Sequence, residues 1–433
     1  MTDPNTVPGR GDRPDPTAPA ARRTDAGTGG SGRPPSRRLV RTMAVATGTV
    51  VANLYYLQPL TATVSRDLDT SPASLGLIVT VVQLGAATGL ATVVPLGDLV
   101  ERRRLLTALL GAGVAGLVTM AAAPGPQVLV AGAALAGLSG SGAQVIVPFA
   151  AHLSAGHGQG RVVGTVMSGL LLGILLSRTL AGVVADLLGW RAVFLLGALA
   201  TAGAALLLRR ELPVLPPSVR MTYPALLASA GRQVRREPVL RSRMLYGALS
   251  FASFSAFWTG AAFLLSGEPY GWSESAIGAF SLFGVAGALA ARVAGLLADR
   301  GMDHGATGSF LLVMALSYGL IGWGGHSLPA LVLGVVLMDL GSQGTHITNQ
   351  SVVYRLRPAE RSRTNTAYML AFMVGGAGGS AAGAIAFDTA GWTGVCVLGG
   401  LLPGTALLAW ATEGRRSATQ GADPGAVTSA GTG

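Results

Sequence analysis

The chain has 433 residues, half of them apolar, with 63 Gly and only 12% charged residues. A soluble domain carries about twice that share of charge, so the composition excludes an ordinary soluble fold and points to a membrane protein. The net charge of +11 comes from Arg alone: with no Lys, neither a P-loop nucleotide site nor Lys Schiff-base chemistry can be built, and the single Cys396 excludes an intrachain disulfide framework or a thiolate metal cluster.

Residues 1–37 are rich in Pro, Gly, Thr, Asp and Arg and hold almost no large apolar side chain. Such a segment buries too little surface to offset its ordering entropy, so it reads as a disordered tail. It lacks the apolar core of a signal peptide. From Leu39 onward, runs long enough to cross a bilayer succeed one another. They predict twelve helices near 39–61, 74–96, 104–122, 127–151, 162–185, 191–208, 244–266, 275–298, 307–324, 329–353, 364–386 and 393–411. The polar, basic stretch 209–243 reads as a cytoplasmic linker and 412–433 as a second disordered tail. The expected fold is thus an all-α integral membrane protein with six-helix bundles at 38–208 and 244–411.

Arginine placement orients this topology. With both termini in the cytoplasm, 27 of the 31 Arg fall on cytoplasmic segments. Arg66 and Arg191 fall outside, and Arg178 and Arg292 lie within helices. That asymmetry is what the positive-inside rule requires. It also explains the basic charge without nucleic acid. The loop "PLGDLVERRRLL" at 95–106 packs five charges into twelve residues where the chain returns to water.

The two halves repeat. "DLLGWRAVFLLGAL" begins at Asp186 and "DTAGWTGVCVLGGL" at Asp388, an offset of 202. The same offset pairs Gly142 with Gly344, Arg161 with Arg363, Met167 with Met369 and Gly173 with Gly375, while Asp98 and Asp299 match at 201. Repeats in transporters place the substrate site between the halves near the midplane.

On these residues the chain resembles a major facilitator superfamily transporter over 38–411. Leu96, Asp98, Arg102 and Arg103 match that superfamily's loop signature, and Val94, Leu99 and Glu101 depart from it. The second copy keeps Gly295, Leu297, Asp299 and Arg300. "NLYYLQPL" and "GWRAVF" resemble the bacterial arabinose-efflux-like branch, which is similar to drug:proton antiporters. The antiporter signature of helix 5 is met by Gly173 and Gly182, but Ser177 and Arg178 replace its Gly-Pro, and helix 4 lacks the family's coupling Arg. The resemblance implies alternating access, with the loops latching the halves: Asp98 received by Arg363 and helix 11, Asp299 by Arg161 and helix 5. A carboxylate is favoured at a helix N-terminus.

Asp339 is the only acid well inside a predicted helix. A carboxylate at that depth costs about 2.5–3.5 kcal/mol and must face the bundle interior. Asp339, Gln343, His346 and Gln350 share one helical face, flanked by Ser342, Thr345, Thr348 and Asn349. That face suits a water-filled cavity, or else a polar stripe joining helices. Arg178 lies at a similar depth on helix 5. It either pairs with Asp339, shares a substrate with it, or snorkels beside Asp186. Arg292, close to a helix end, is expected to snorkel. Asn53, Tyr56, Gln58, Phe254 and Trp258 offer aromatic faces with polar handles, suited to amphipathic or aromatic solutes. Lipid-interface anchoring competes for Tyr55, Tyr56 and Trp272. Gln83 and Gln144 are further lining candidates. "GAGVAG" at 111–116 imitates a dinucleotide fingerprint, but no strand precedes it. His152 and His157 form no metal site.

These residues predict a monomeric secondary transporter of the plasma membrane, using protons, a small-molecule substrate and the lipid bilayer but no cofactor. Proton-coupled efflux of a small amphipathic compound leads. Uptake of a sugar-like nutrient, and a non-transporting receptor on the same scaffold, are the alternatives. No catalytic constellation is evident.

Overall fold

The computed structural model describes residues 35–97, 99–154, 158–214, 223–285, 293–294, 296–297, 300–356 and 361–421. Asp98, His157, Arg292 and Asp299, all singled out above, lie outside the described residues. The described chain is all-helical. Nine helices among the described residues are long and apolar enough to cross a membrane.

The first predicted span begins as α1 (Arg37–Ala52), started by the Ser36 hydroxyl, which accepts from the Leu39 amide. It then breaks. Residues 53–57 form tight turns with i→i+3 bonds, leading into a 3-10 turn at Gln58–Leu60 and the short α2 (Thr61–Asp67). Pro59 accounts for the break, because it offers no amide to continue the ladder and its ring crowds the preceding turn. The span predicted at 39–61 is therefore two helices around an unwound middle.

Next come α3 (Pro72–Leu96) and α4 (Arg102–Ala121). The span predicted at 127–151 divides into α5 (Pro126–Gly140) and α6 (Gly142–Leu153) at Ser141, whose hydroxyl turns back to the Leu138 carbonyl. α7 (Gln159–Leu188) and α8 (Trp190–Glu211) come after it. The stretch read as a linker holds a helix of its own, α9 (Tyr223–Arg236), with Arg235 and Arg236 in its last turn, where cations complement the helix dipole. Tyr223 ties it to α3 by donating to the Thr92 carbonyl at 2.9 Å.

α10 (Pro238–Ser266) is deeply enclosed, and every residue from Ser250 to Ala262 is buried. A helix buried all round is wrapped by other helices. The short α11 (Glu274–Phe280) passes into a 3-10 turn at Ser281–Val285. α12 (Asp303–Trp323), α13 (Leu328–Leu356) and α14 (Arg361–Gly421) complete the fold. The last two predicted spans both lie within α14, which bends at Gly391. α14 also continues past residue 411, into the segment whose composition reads as a disordered tail. α10 and α3 both pack along α14, and α1 packs along α7.

The repeated Asp-x-x-Gly-Trp has a local geometry at each site. Gly189 (φ 83, ψ 158) joins α7 to α8, and Gly391 (φ 59, ψ −151) bends α14. Both lie in a backbone region open only to Gly. Each succeeding Trp donates through Nε1 at 3.0 Å, Trp190 to Asp67 Oδ2 and Trp392 to the Ile321 carbonyl. Arg191 adds a 2.6 Å ion pair to the same Asp67 oxygen and stacks over Trp190 at 4.1 Å. Asp67 ends α2, beyond the first span.

Gly189→Ala and Gly391→Ala should each lose about 1–3 kcal/mol of stability, read as a lower unfolding midpoint in detergent. The hydrogen bonds from Arg191 and Trp190 hold the Asp67 carboxyl below its ordinary value of 3.8. A depressed carboxyl contributes stability above its unfolded pKa and loses it as pH falls through the folded one. Between neutral pH and pH 3, Asp67→Asn should therefore show a smaller fall in midpoint than the parent protein.

Candidate functional site

Arg178 projects from α7 and is only 5% exposed. A guanidinium cannot lose its charge in a protein, so burial obliges its surroundings to replace water. Here the replacement is mostly aromatic. The guanidinium carbon lies 4.6 Å from the Trp258 ring centroid, 4.8 Å from Tyr55 and 5.7 Å from Phe254. Phe254 and Trp258 are four residues apart and so share one face of α10. Tyr55 comes from the unwound turn after α1. Each desolvated cation–π contact contributes about 2 kcal/mol. The Nε of Arg178 donates to Gln58 Oε1 at 2.8 Å.

Asp339, on α13, is 4% exposed. Its Oδ2 lies against Gly284, where a Cβ would collide with the carboxylate. Among the described residues no ion pair joins Arg178 to Asp339, although the two interact across the gap. Three polar atoms of this group have no hydrogen-bond partner among the described residues: Arg178 Nη2, Trp258 Nε1 and Asp339 Oδ1. An orphaned buried polar atom costs about 1–3 kcal/mol, more when charged. Gln58, Arg178 and Trp258 also border a cavity of about 10 Å³, closed by Ala261, Ala262 and Ile277. That is room for about one water.

The C-terminal end of α7 meets the start of α11 next to this cavity. The Asp186 carboxylate accepts from the amides of Glu274 (3.1 Å) and Ser275 (3.0 Å) and from the Ser275 hydroxyl. It thereby satisfies orphan donors at a helix N-terminus. Glu274 in turn accepts from the Thr63 hydroxyl, and Thr179 donates to the Gly278 carbonyl at 3.0 Å. Gly182 and Gly278 permit this approach, since a Cβ at either would strike backbone of the other helix.

The chain matches the family model "Major Facilitator Superfamily" over residues 43–307 and 253–429. It belongs to the major facilitator superfamily. The "Uncharacterized transporter YgaY" of Escherichia coli O157:H7 is 45% identical over 375 residues, covering 87% of this chain and 95% of that protein. The "Probable transporter SCO4007" of Streptomyces coelicolor (strain ATCC BAA-471 / A3(2) / M145) is 35% identical over 389 residues, covering 89% and 90%. Among solved structures, the nucleoside transporter NupG superposes with a TM-score of 0.69 at 14% identity, covering 87% of this chain and 98% of that one. The human organic anion transporter MFSD10 superposes with a TM-score of 0.62 at 18% identity, covering 87% and 100%. At such identities these likenesses concern the fold. The chain is a multi-pass membrane transporter of the superfamily's type.

Within this superfamily fold, the residues singled out from sequence divide into groups. Gln58, Arg178, Phe254 and Trp258 come together as one cluster, with Asp339 opposite. Asn53 and Tyr56 do not join them. Asn53 donates to Thr201 at 3.0 Å, and the Tyr56 ring lies against Gly197, both on α8. Gln83 bridges α3 to Ser255 of α10 at 3.2 Å. His346 bonds the Tyr368 hydroxyl at 3.0 Å and lies 4.4 Å from the Phe372 ring, both on α14. Gln343 and Gln144 are half-buried.

Tyr55, for which the sequence offers a lipid interface, belongs instead to the Arg178 cage. A period-3.6 reading of residues 39–61 does not place it, because the helix is unwound there. Of the loop residues, Arg102 donates to the Gly97 carbonyl at 3.1 Å and lies 5.9 Å from the Phe149 ring. Arg103 pairs with Glu101 at 3.6 Å. Arg161 and Arg300 are exposed and Arg363 is half-buried. Their predicted partners Asp98 and Asp299 lie outside the described residues.

Gln58→Leu removes the one side-chain acceptor bonded to a buried cation. It should cost about 1.5–3 kcal/mol of stability, measured by unfolding in detergent.

Proposed function

We propose that this superfamily member is a proton-coupled exporter of a small amphipathic compound, of the arabinose-efflux-like, drug:proton antiporter kind. The observation that carries the reading is the Arg178 cage. A permanent cation held by three rings and one amide, with a carboxylate opposite, can take a solute that has an apolar or aromatic body and a polar or anionic group. Arg178 orients that group, Trp258, Tyr55 and Phe254 stack the body, and Asp339 carries the coupling proton. Gln343, His346, Gln83 and Gln144 extend the polar path.

In this reading the chain has twelve spans in two pseudo-symmetric bundles, 38–208 and 244–411, joined by the 209–243 linker. Both termini lie in the cytoplasm of a bacterial cell, and the transporter works as a monomer in the plasma membrane with no cofactor, no nucleic acid and no catalysis. The α7–α11 contact made by Asp186 is then the closed outer gate. The loops carrying Asp98, Arg102, Arg103, Asp299 and Arg300, with Arg161 and Arg363, form the inner latch. Two solved proteins of this fold, described as a nucleoside transporter and an organic anion transporter, suggest solutes for the test panel.

The test is proton movement in everted membrane vesicles under an imposed pH gradient, with added cationic, anionic, neutral, nucleoside and sugar-like compounds. At least one amphipathic compound should trigger proton release, and Asp339→Asn should reduce that release at least tenfold. Release that survives in Asp339→Asn would move coupling elsewhere. Flux without proton movement would replace antiport by uncoupled transport. Binding without flux would favour a receptor.

A further inference from the structure

A second buried guanidinium lies away from the cage. Arg243, near the start of α10, is 5% exposed and makes no ion pair among the described residues. Its Nη1 donates to two neutral oxygens, Thr307 Oγ1 at 2.9 Å and Asn349 Oδ1 at 3.3 Å. Its Nε is buried with no hydrogen-bond partner among the described residues. No ring cage compensates: among the described residues Tyr246 is the one aromatic ring over it, at 5.8 Å. The carboxylates of Glu413 and Asp303 act on it across a gap without pairing with it, so the buried charge is only partly compensated.

Arg243 lines an open cavity of about 500 Å³, together with Arg355, Asp303, His304 and Gly301. That volume lies in the range of small-molecule sites. Two guanidinium groups and one carboxylate line it. Asp303 pairs through one oxygen with Arg355, and its other oxygen is buried without a partner among the described residues. Glu413, the other acid near Arg243, accepts from the Tyr246 hydroxyl at 2.5 Å. The cavity also contains the start of α12, where Met302 supplies no side-chain cap and Asp303 is the acid of the first turn. Uncapped amides at a helix start, beside cationic forks, favour an oxyanion. His304, stacked on Trp410 at 4.8 Å, forms a firm wall.

We propose that this cavity binds a phosphate group, held by Arg243 and Arg355 and by the first-turn amides of α12. Two sources share that chemistry: the headgroup of an anionic phospholipid in the adjoining leaflet, or free phosphate. The site is separate from the Arg178 cage and does not depend on the transport reading.

The experiment uses the full-length protein in detergent and in nanodiscs, comparing the parent with Arg243→Gln, Arg355→Gln and, as an exposed control, Arg210→Gln. Inorganic phosphate is titrated against chloride at matched ionic strength while the unfolding midpoint is tracked. Nanodiscs of phosphatidylethanolamine with and without phosphatidylglycerol are then probed by native mass spectrometry for retained lipid. A saturable rise with phosphate, weakened at least tenfold in both site variants and not in the control, supports the site with free phosphate as ligand. Retention of phosphatidylglycerol by the parent, lost at least tenfold in both site variants, supports it with lipid as ligand. Absence of both effects, or equal loss in Arg210→Gln, overturns it. If Arg243→Gln fails to fold, Arg355→Gln decides alone, because that side chain is 51% exposed.

Discussion

Hydrocarbon offers no hydrogen-bond partner, so a chain that crosses it must satisfy every peptide group and every ion from within. Most of this architecture obeys that constraint. Helices satisfy their own backbones, which is why long apolar segments become α3, α7, α10 and α13. Where the helical ladder fails, at residues 53–57 and at Ser141, the broken backbone lies in the protein interior, and local i→i+3 bonds and a Ser hydroxyl take up the freed groups. The same demand explains Asp186: the first amides of α11 need acceptors, and a carboxylate from α7 provides them.

The constraint is harsher for ions, and here the two buried arginines differ. Arg178 is surrounded by ring faces, whose negative quadrupoles substitute for solvent, and by one amide oxygen. Arg243 has two neutral oxygens, one ring, two nearby but unpaired carboxylates and an open cavity. The first arrangement holds a cation without neutralising it, so the charge remains able to act on a solute. The second leaves part of the compensation to something outside the chain. Asp339 stands between these cases. It is close enough to interact with Arg178 but not paired with it, and one of its oxygens is unpartnered among the described residues. A direct pair would cancel both charges. Separation leaves both charges uncancelled.

Small residues set how closely these parts approach. Gly182 and Gly278 bring α7 and α11 into backbone contact beside the cavity, and Gly284 leaves space for the Asp339 carboxylate. Helices in lipid gain little from burying apolar surface against one another, so close packing and internal hydrogen bonds hold them together. The many glycines thus serve association as much as bending.

The all-helical membrane class, the superfamily and the burial of Arg178 and Asp339 were legible in the sequence. Length and hydropathy specify membrane spans locally, and a charge inside such a span has few alternatives to the interior. Gln58, Phe254 and Trp258 were also legible, because aromatic and amide groups on otherwise apolar segments stand out. Tyr55 was not, nor was the departure of Asn53 and Tyr56 toward α8. Their directions depend on a backbone that unwinds, and a helical period carries no information across such a break. Nor could the sequence distinguish a buried pair from a caged cation, or single out Arg243, which sits in a stretch that reads as linker. The sequence alone determined the features set by local length, polarity and repetition. Which side chains meet, which charges remain unpaired and where a cavity opens were decided only by the tertiary structure, because these depend on distances between segments far apart along the chain.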